Sequence, residues 1–276
     1  MRGHSTGPPD DGQQLLTTLG RLVDQALEQM KLQRARVELA LALQRHMLPP
    51  SLPQLPGLHI AARYAPSQDG LDVGGDWYDA FLMMDGSLGL AVGDVQGHDV
   101  EAIAFMGQVR TSLRAIAEAT SDPREVLGRT NDLLISMGGG LFATCCFLRF
   151  DPVTRDLTVS RAGHVPMVWA TAGGRSGIAL DRGGPPLGVV RGESYPMTHR
   201  RLTEAGVLVL LTDGVVEGPD FPIEEGLAEV HRLVRAGFDA DPGVLASAVV
   251  KVAEHTGHRD DAAVLVVRYD GPTEPL

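Results

Sequence analysis

VGGDWYDAFLMMDGSLGLAVGD, residues Val73 to Asp94, reads as two short strands joined by the turn Asp85-Gly86-Ser87. Alternating apolar runs on either side of a glycine-bearing turn are a hairpin signature. An antiparallel hairpin returns its second strand beside the first. Asp76, near the start, and Asp94, at the end, are therefore expected side by side. Two crowded carboxylates need a proton or a cation between them. The Gly74-Gly75 pair and Gly93 are expected to let the backbone approach whatever sits there. The stretch thus predicts half of a metal site.

Pro49, Pro50, Pro53 and Pro56 form a stiff connector ahead of the hairpin, because proline fixes its own backbone and disfavours helix just before it. Upstream, residues 13–48 carry a long helical pattern without proline. Leu15, Leu19, Leu22, Ala26, Met30, Gln33, Val37, Leu41, Gln44 and Leu48 recur at a spacing nearer an 11-residue repeat than a heptad. Such a helix would reach roughly 50 Å. Around Val37 to Leu43 (VELALAL) the apolar positions spread beyond one stripe, which predicts cover on two sides, one of them a second copy of the chain. Residues 1–12 and 271–276 are expected to be tails, 13–48 a regulatory or dimerisation helix, and 49–270 the functional domain.

Downstream, strands are expected at Leu58–Tyr64, Asp76–Met83, Leu88–Val95, Phe142–Phe150, Leu157–Ala162, Pro166–Ala170, Tyr195–Leu202, Val207–Leu211 and Ala262–Tyr269. Helices are expected at Val100–Ala119, Pro123–Met137, Ile223–Ala236 and Pro242–Glu254, with Asp122 capping the second of these ahead of Pro123. Strands come in runs and helices in runs, which is the order of an α+β protein with mainly antiparallel sheet.

The 276 residues suffice for a sizeable core, and the formal charge of -11 argues against a nucleic-acid partner. Cys145 and Cys146 are adjacent, so in a strand they point to opposite faces and cannot pair with one another. With no apolar run near the ~18 residues that span a bilayer, and no signal-peptide core at the N-terminus, a membrane location is not expected. A reducing, cytoplasmic location is.

Two further acidic landmarks match the hairpin's. The apolar run Val207–Leu211 ends in Thr212-Asp213-Gly214, and Arg259-Asp260-Asp261 precedes the last strand. Asp76, Asp94, Asp213 and Asp260 all lie at strand ends beside glycine or in a turn. Singly, each reads as a turn former.

In their order and spacing, GGDWYD, VGDVQGH, AGHVP, GPPLGV, LLTDGVVE and RDDAAVLVV resemble the metal-dependent (PPM, or 2C-type) protein phosphatases, in the bacterial branch typified by SpoIIE and RsbU. The resemblance covers about residues 39–269, and ELALALQRHMLPPSLP resembles the helical linker that leads into this domain. It implies two packed antiparallel sheets flanked by helices, an αββα sandwich, with a two-metal centre at one end. It also implies that Asp76, Asp94, the Val95 carbonyl, Asp213 and Asp260 are metal ligands, with Asp261 beside them.

All are oxygen ligands, suited to Mn²⁺ or Mg²⁺. Two such ions would activate a water toward a phosphoserine or phosphothreonine. The implied substrate is a phosphorylated STAS-type anti-anti-sigma factor, within partner-switching control of a sigma factor. The alternative is a pseudophosphatase that binds a partner without turnover. Gly75, Asp79, His98, Asp99, His164 and Asp261 are candidates for the surrounding shell. Asp79, His98 and His164 are expected in structural hydrogen bonds. Asp99 and Glu101, where relatives carry small residues, are expected to favour the following helix N-terminus.

Overall fold

The computed structural model describes residues 11–66, 74–97, 100–138, 140–257 and 260–272. Helix α1 (Asp11–Met47) leads into β1 (Leu58–Ala65), β2 (Trp77–Leu82), β3 (Leu88–Val95), α2 (Val100–Ala117) and α3 (Pro123–Met137). Then follow β4 (Ala143–Phe150), β5 (Asp156–Ala162), β6 (Val168–Thr171), β7 (Ser176–Ile178), β8 (Met197–Arg201), β9 (Gly206–Leu211), α4 (Ile223–Ala236), α5 (Pro242–Val250) and β10 (Ala262–Tyr269).

The strands form two five-stranded antiparallel sheets, in the orders β1-β10-β9-β6-β7 and β2-β3-β4-β5-β8. This is the expected α+β arrangement, and strand alternation generates its layers. In β9, Val207, Val209 and Leu211 face α4 and α5, whereas Leu208 and Leu210 face the opposite sheet. In β4, Cys145 joins the core under α2 and α3 while Cys146 lies between the sheets, so the two thiols are free and on opposite faces. Burial pushes the Cys146 thiol up to about 12.

Local chemistry sets the boundaries. Asp122 accepts a hydrogen bond from the Arg124 amide at 2.9 Å, Pro123 opens α3, and Gly138 closes it at φ 75°. The helix expected to run to Glu254 tightens after Val250 into a 3₁₀ turn, Lys251–Glu254. Strand β7 was not foreseen: with three residues, one of them Gly177, it is too short to show alternation. The strand expected from Tyr195 begins at Met197, after Pro196, which has no amide to give a ladder.

Helix α1 spans 37 residues, or roughly 55 Å. Leu15, Leu19, Leu22 and Met30 are exposed on it. The side chains of Val37, Leu39, Ala40, Leu41 and Leu43, on which the two-sided cover was expected, lie outside the described residues. At its end, Met47 fills the space over Gly107 of α2, and the Arg110 guanidinium donates to the Met47 carbonyl. No described helix is long and apolar enough to cross a membrane.

Candidate metal centre

The β2–β3 ladder pairs Trp77 with Gly93 and Leu82 with Leu88, and the turn between them is held by Asp85, which accepts from the Ser87 amide at 3.0 Å. Asp76, one residue before Trp77, thereby lands next to Asp94, one residue after Gly93. On the other sheet, β9 carries Asp213 to the same end. Asp76, Asp94 and Asp213 each offer an oxygen within 4.8 Å of the others. The cluster therefore bridges the sheets, and it depends on their packing.

Three glycines near the cluster are needed for reasons other than approach to a ligand. A side chain at Gly93 would stand 2.1 Å from the Trp77 ring. One at Gly75 would stand 2.6 Å from the Val95 carbonyl oxygen, and one at Gly74 would stand 2.5 Å from the Asp261 carboxylate. Protein groups fill each of these spaces, and the close contact at Gly75 sets the Val95 carbonyl against the segment that carries Asp76.

The electrostatics are those of an uncompensated acidic site. Burial, and then the charges of Asp94, Asp213 and Asp261, hold the Asp76 carboxyl well above its usual range, and the Thr212 hydrogen bond opposes this. Asp94 is pushed up to about 8, mainly by burial and then by Asp213. Asp213 is raised by burial and by Glu217. The charges acting most strongly on Asp76 and Asp94 are carboxylates, so a divalent cation with a preference for oxygen fits this donor set.

The other candidates separate by environment. Asp260 is exposed and shares a cavity of about 390 Å³ with Asp213 and Glu217, beside the three-carboxylate cluster. Asp261 is buried and accepts from the Gly74 amide at 2.7 Å and from the Tyr64 hydroxyl. Asp79 is buried in ion pairs with Arg110 and Arg114 of α2, both at 2.8 Å. His164 is buried with Nδ1 2.7 Å from Thr144 Oγ1, on the residue that pairs with Asp94 in the β3–β4 ladder. Burial pushes the His164 imidazolium down to about 3, so the ring is neutral near pH 7. His98 and Asp99 lie outside the described residues, and Glu101 stands in the first turn of α2.

Sequence reasoning missed Thr212, Tyr64 and the two arginines. Thr212 Oγ1 donates to Asp76 Oδ2 at 2.6 Å and accepts from the Ala263 amide at 2.9 Å. Its one available signal was a hydroxyl closing an otherwise apolar strand, VLVLLT. Nothing local marks Tyr64 or the arginines as partners of distant carboxylates.

The sequence profile of the SpoIIE family (Stage II sporulation protein E) matches residues 84–270, more than half of the chain. Protein IcfG of Synechocystis is 27% identical over 262 residues, covering 84% of this chain and 40% of IcfG. Phosphoserine phosphatase RsbU of Bacillus subtilis is 24% identical over 185 residues, covering 67% of this chain and 54% of RsbU. The chain thus spans about half the length, or less, of these curated relatives. Among solved structures, the RsbU and RsbW domains of Rv1364c from Mycobacterium tuberculosis align at a TM-score of 0.73 with 32% identity, covering 83% of this chain and 65% of that one.

Proposed function

This chain belongs to the SpoIIE family, and on that premise we propose that it is a metal-dependent phosphoserine/phosphothreonine protein phosphatase. One observation carries the reading: Asp76, Asp94 and Asp213 converge from two sheets without a basic side chain prominent among the charges acting on Asp76 and Asp94. The proposed ligands of Mn²⁺ or Mg²⁺ are these three carboxylates, the Val95 carbonyl and, from the adjoining cavity, Asp260. Bound there, two divalent ions supply an acidified water and neutralise charge on phosphoryl oxygens.

The protein's own groups position this set. Thr212 orients Asp76 across the sheets. The Gly74 amide and the Tyr64 hydroxyl fix Asp261 behind the site. His164, neutral and tied to Thr144, holds the start of β4.

The proposed substrate is a phosphorylated STAS-type protein in partner-switching control of a sigma factor. The named activity of RsbU and the likeness to the RsbU and RsbW domains support it. The exposed leucines of α1 support a homodimer through residues 15–45, and the free buried thiols suit the cytoplasm. Incubation with a panel of phosphorylated STAS proteins and Mn²⁺ tests the activity and the substrate class together. Mn²⁺-dependent loss of phosphate from at least one of them is expected. Turnover that persists undiminished in excess EDTA would contradict the metal-dependent reading.

A further inference from the structure

The chain between β7 and β8 passes beside the metal centre. Val95 pairs with Ala143 in the β3–β4 ladder, and Ala143 exchanges two backbone hydrogen bonds with Leu187, at 3.0 and 2.8 Å. Two strand spacings, roughly 10 Å, thus separate Leu187 from the residue whose carbonyl is a proposed metal ligand. Beyond Leu187 the chain turns at Gly188, φ 89°, and is bound to α3. The Gly188 amide donates to Asn131 Oδ1 at 3.0 Å, Asn131 Nδ2 donates to the Val190 carbonyl at 2.7 Å, and the Gly192 amide donates to Asp132 Oδ1 at 2.7 Å. Asn131 is buried, so α3 holds this loop from below.

The loop and the helix together form an apolar surface. Leu133 and Met137, one turn apart on α3, and Val189 and Val190 on the loop are all exposed. Leu141, half-buried against the core, has its carbonyl next to Gly188. Charged residues follow or precede these in the chain: Asp132, Arg191 and Glu193. Apolar side chains scattered singly over a surface need no partner, whereas a gathered set rimmed by polar groups marks an interaction site.

The occupant follows from the position of this surface. A phosphoserine side chain is short, so a protein that delivers one to Asp76, Asp94 and Asp213 must lay its own surface on the rim of the centre. A standard interface covers about 800 Å² of each partner, a disc roughly 30 Å across. Centred on the carboxylates, such a disc takes in Leu187 and the loop beyond it.

We propose that Leu133, Met137, Val189 and Val190 dock the phosphoprotein substrate through an apolar surface next to its phosphoserine. For the identity of that partner the proposal rests on the phosphatase reading. Because Asn131 and Asp132 fix the loop on α3, the surface is formed before the partner arrives, which lowers the cost of binding.

Fluorescence anisotropy of labelled, phosphorylated STAS proteins titrated with the full-length chain in excess EDTA measures docking without metal. Two paired variants test the surface, Leu133→Gln with Met137→Gln, and Val189→Ser with Val190→Ser. They lie on different elements, so a folding defect in one leaves the other as the test. The expected result is saturable binding of at least one of these proteins by wild type, at least fivefold weaker in each pair. A smaller loss in a folded pair, or no saturable binding by any of these proteins, would overturn the proposal. Phosphate release with Mn²⁺ separates this from the phosphatase reading. Binding that depends on the four side chains without any release would contradict that reading alone, and release with binding indifferent to them would remove the docking surface alone.

Discussion

Thr212, at the end of β9, donates its hydroxyl proton to Asp76 at 2.6 Å, across the gap between the two sheets. The same oxygen accepts from the Ala263 amide, so one side chain ties β9, β10 and the segment leading into β2. Replacing it by the near-isosteric valine leaves two buried groups short of a partner. We expect Thr212→Val to lose about 1–3 kcal/mol of unfolding free energy, read from denaturant titration without added metal. A loss below a few tenths would show that the sheets hold Asp76 without it.

His164 gives the metal-free protein a pH signature. Its folded pKa, about 3, lies below the ordinary histidine value of about 6.5. Below about pH 6.5 the unfolded chain takes up a proton that the folded chain refuses, so the stability contributed at neutral pH is lost progressively as pH falls toward 3. His164→Asn keeps a hydrogen-bonding group for Thr144 without titrating. It is expected to flatten the decline of unfolding free energy between about pH 6.5 and 4, and identical slopes would contradict the assignment.

Asp79 is expected to matter for folding more than for metal. Asp79→Asn removes the negative charge that pairs with both Arg110 and Arg114. The cost expected is about 3 kcal/mol, at the low end for breaking a buried pair because both arginines reach solvent. Mn²⁺ affinity of the folded variant, measured calorimetrically, should stay within about threefold of wild type. A selective loss of Mn²⁺ binding at unchanged stability would move Asp79 into the centre.

Asp260 and Asp261 should separate in the opposite sense. Asp260 is exposed in the cavity beside Asp213, whereas Asp261 is buried and bound by the Gly74 amide and the Tyr64 hydroxyl. Asp260→Asn is expected to weaken Mn²⁺ binding with little change in melting temperature. Asp261→Asn is expected to destabilise by about 1–3 kcal/mol. Calorimetry and thermal unfolding on the two variants check this, and an exchange of the two phenotypes would reverse the roles.

Much of the architecture was legible because its signals are local. The hairpin turn at Asp85-Gly86-Ser87, the Asp122-Pro123 cap and the apolar runs of β9 and β10 each depend on neighbours in sequence. The adjacency of Asp76 and Asp94 followed from hairpin register alone. The rest depends on packing between sheets. Thr212 reaches Asp76 across 136 positions and Tyr64 reaches Asp261 across 197, separations that no periodicity reports. Gly93 was legible as special but for the wrong reason, since the Trp77 ring occupies its missing side chain. His164 was expected to be a structural hydrogen-bonder, and the structure adds that burial keeps it neutral.

In the proposed mechanism Asp76, Asp94 and Asp213 hold the divalent cations on which turnover depends. The decisive measurement is phosphate release from one phosphorylated STAS protein at saturating Mn²⁺, comparing wild type with Asp213→Asn. The expected result is a fall of about 10²-fold or more in rate and no release by wild type in excess EDTA. An Asp213→Asn protein that turns over at the wild-type rate would contradict it.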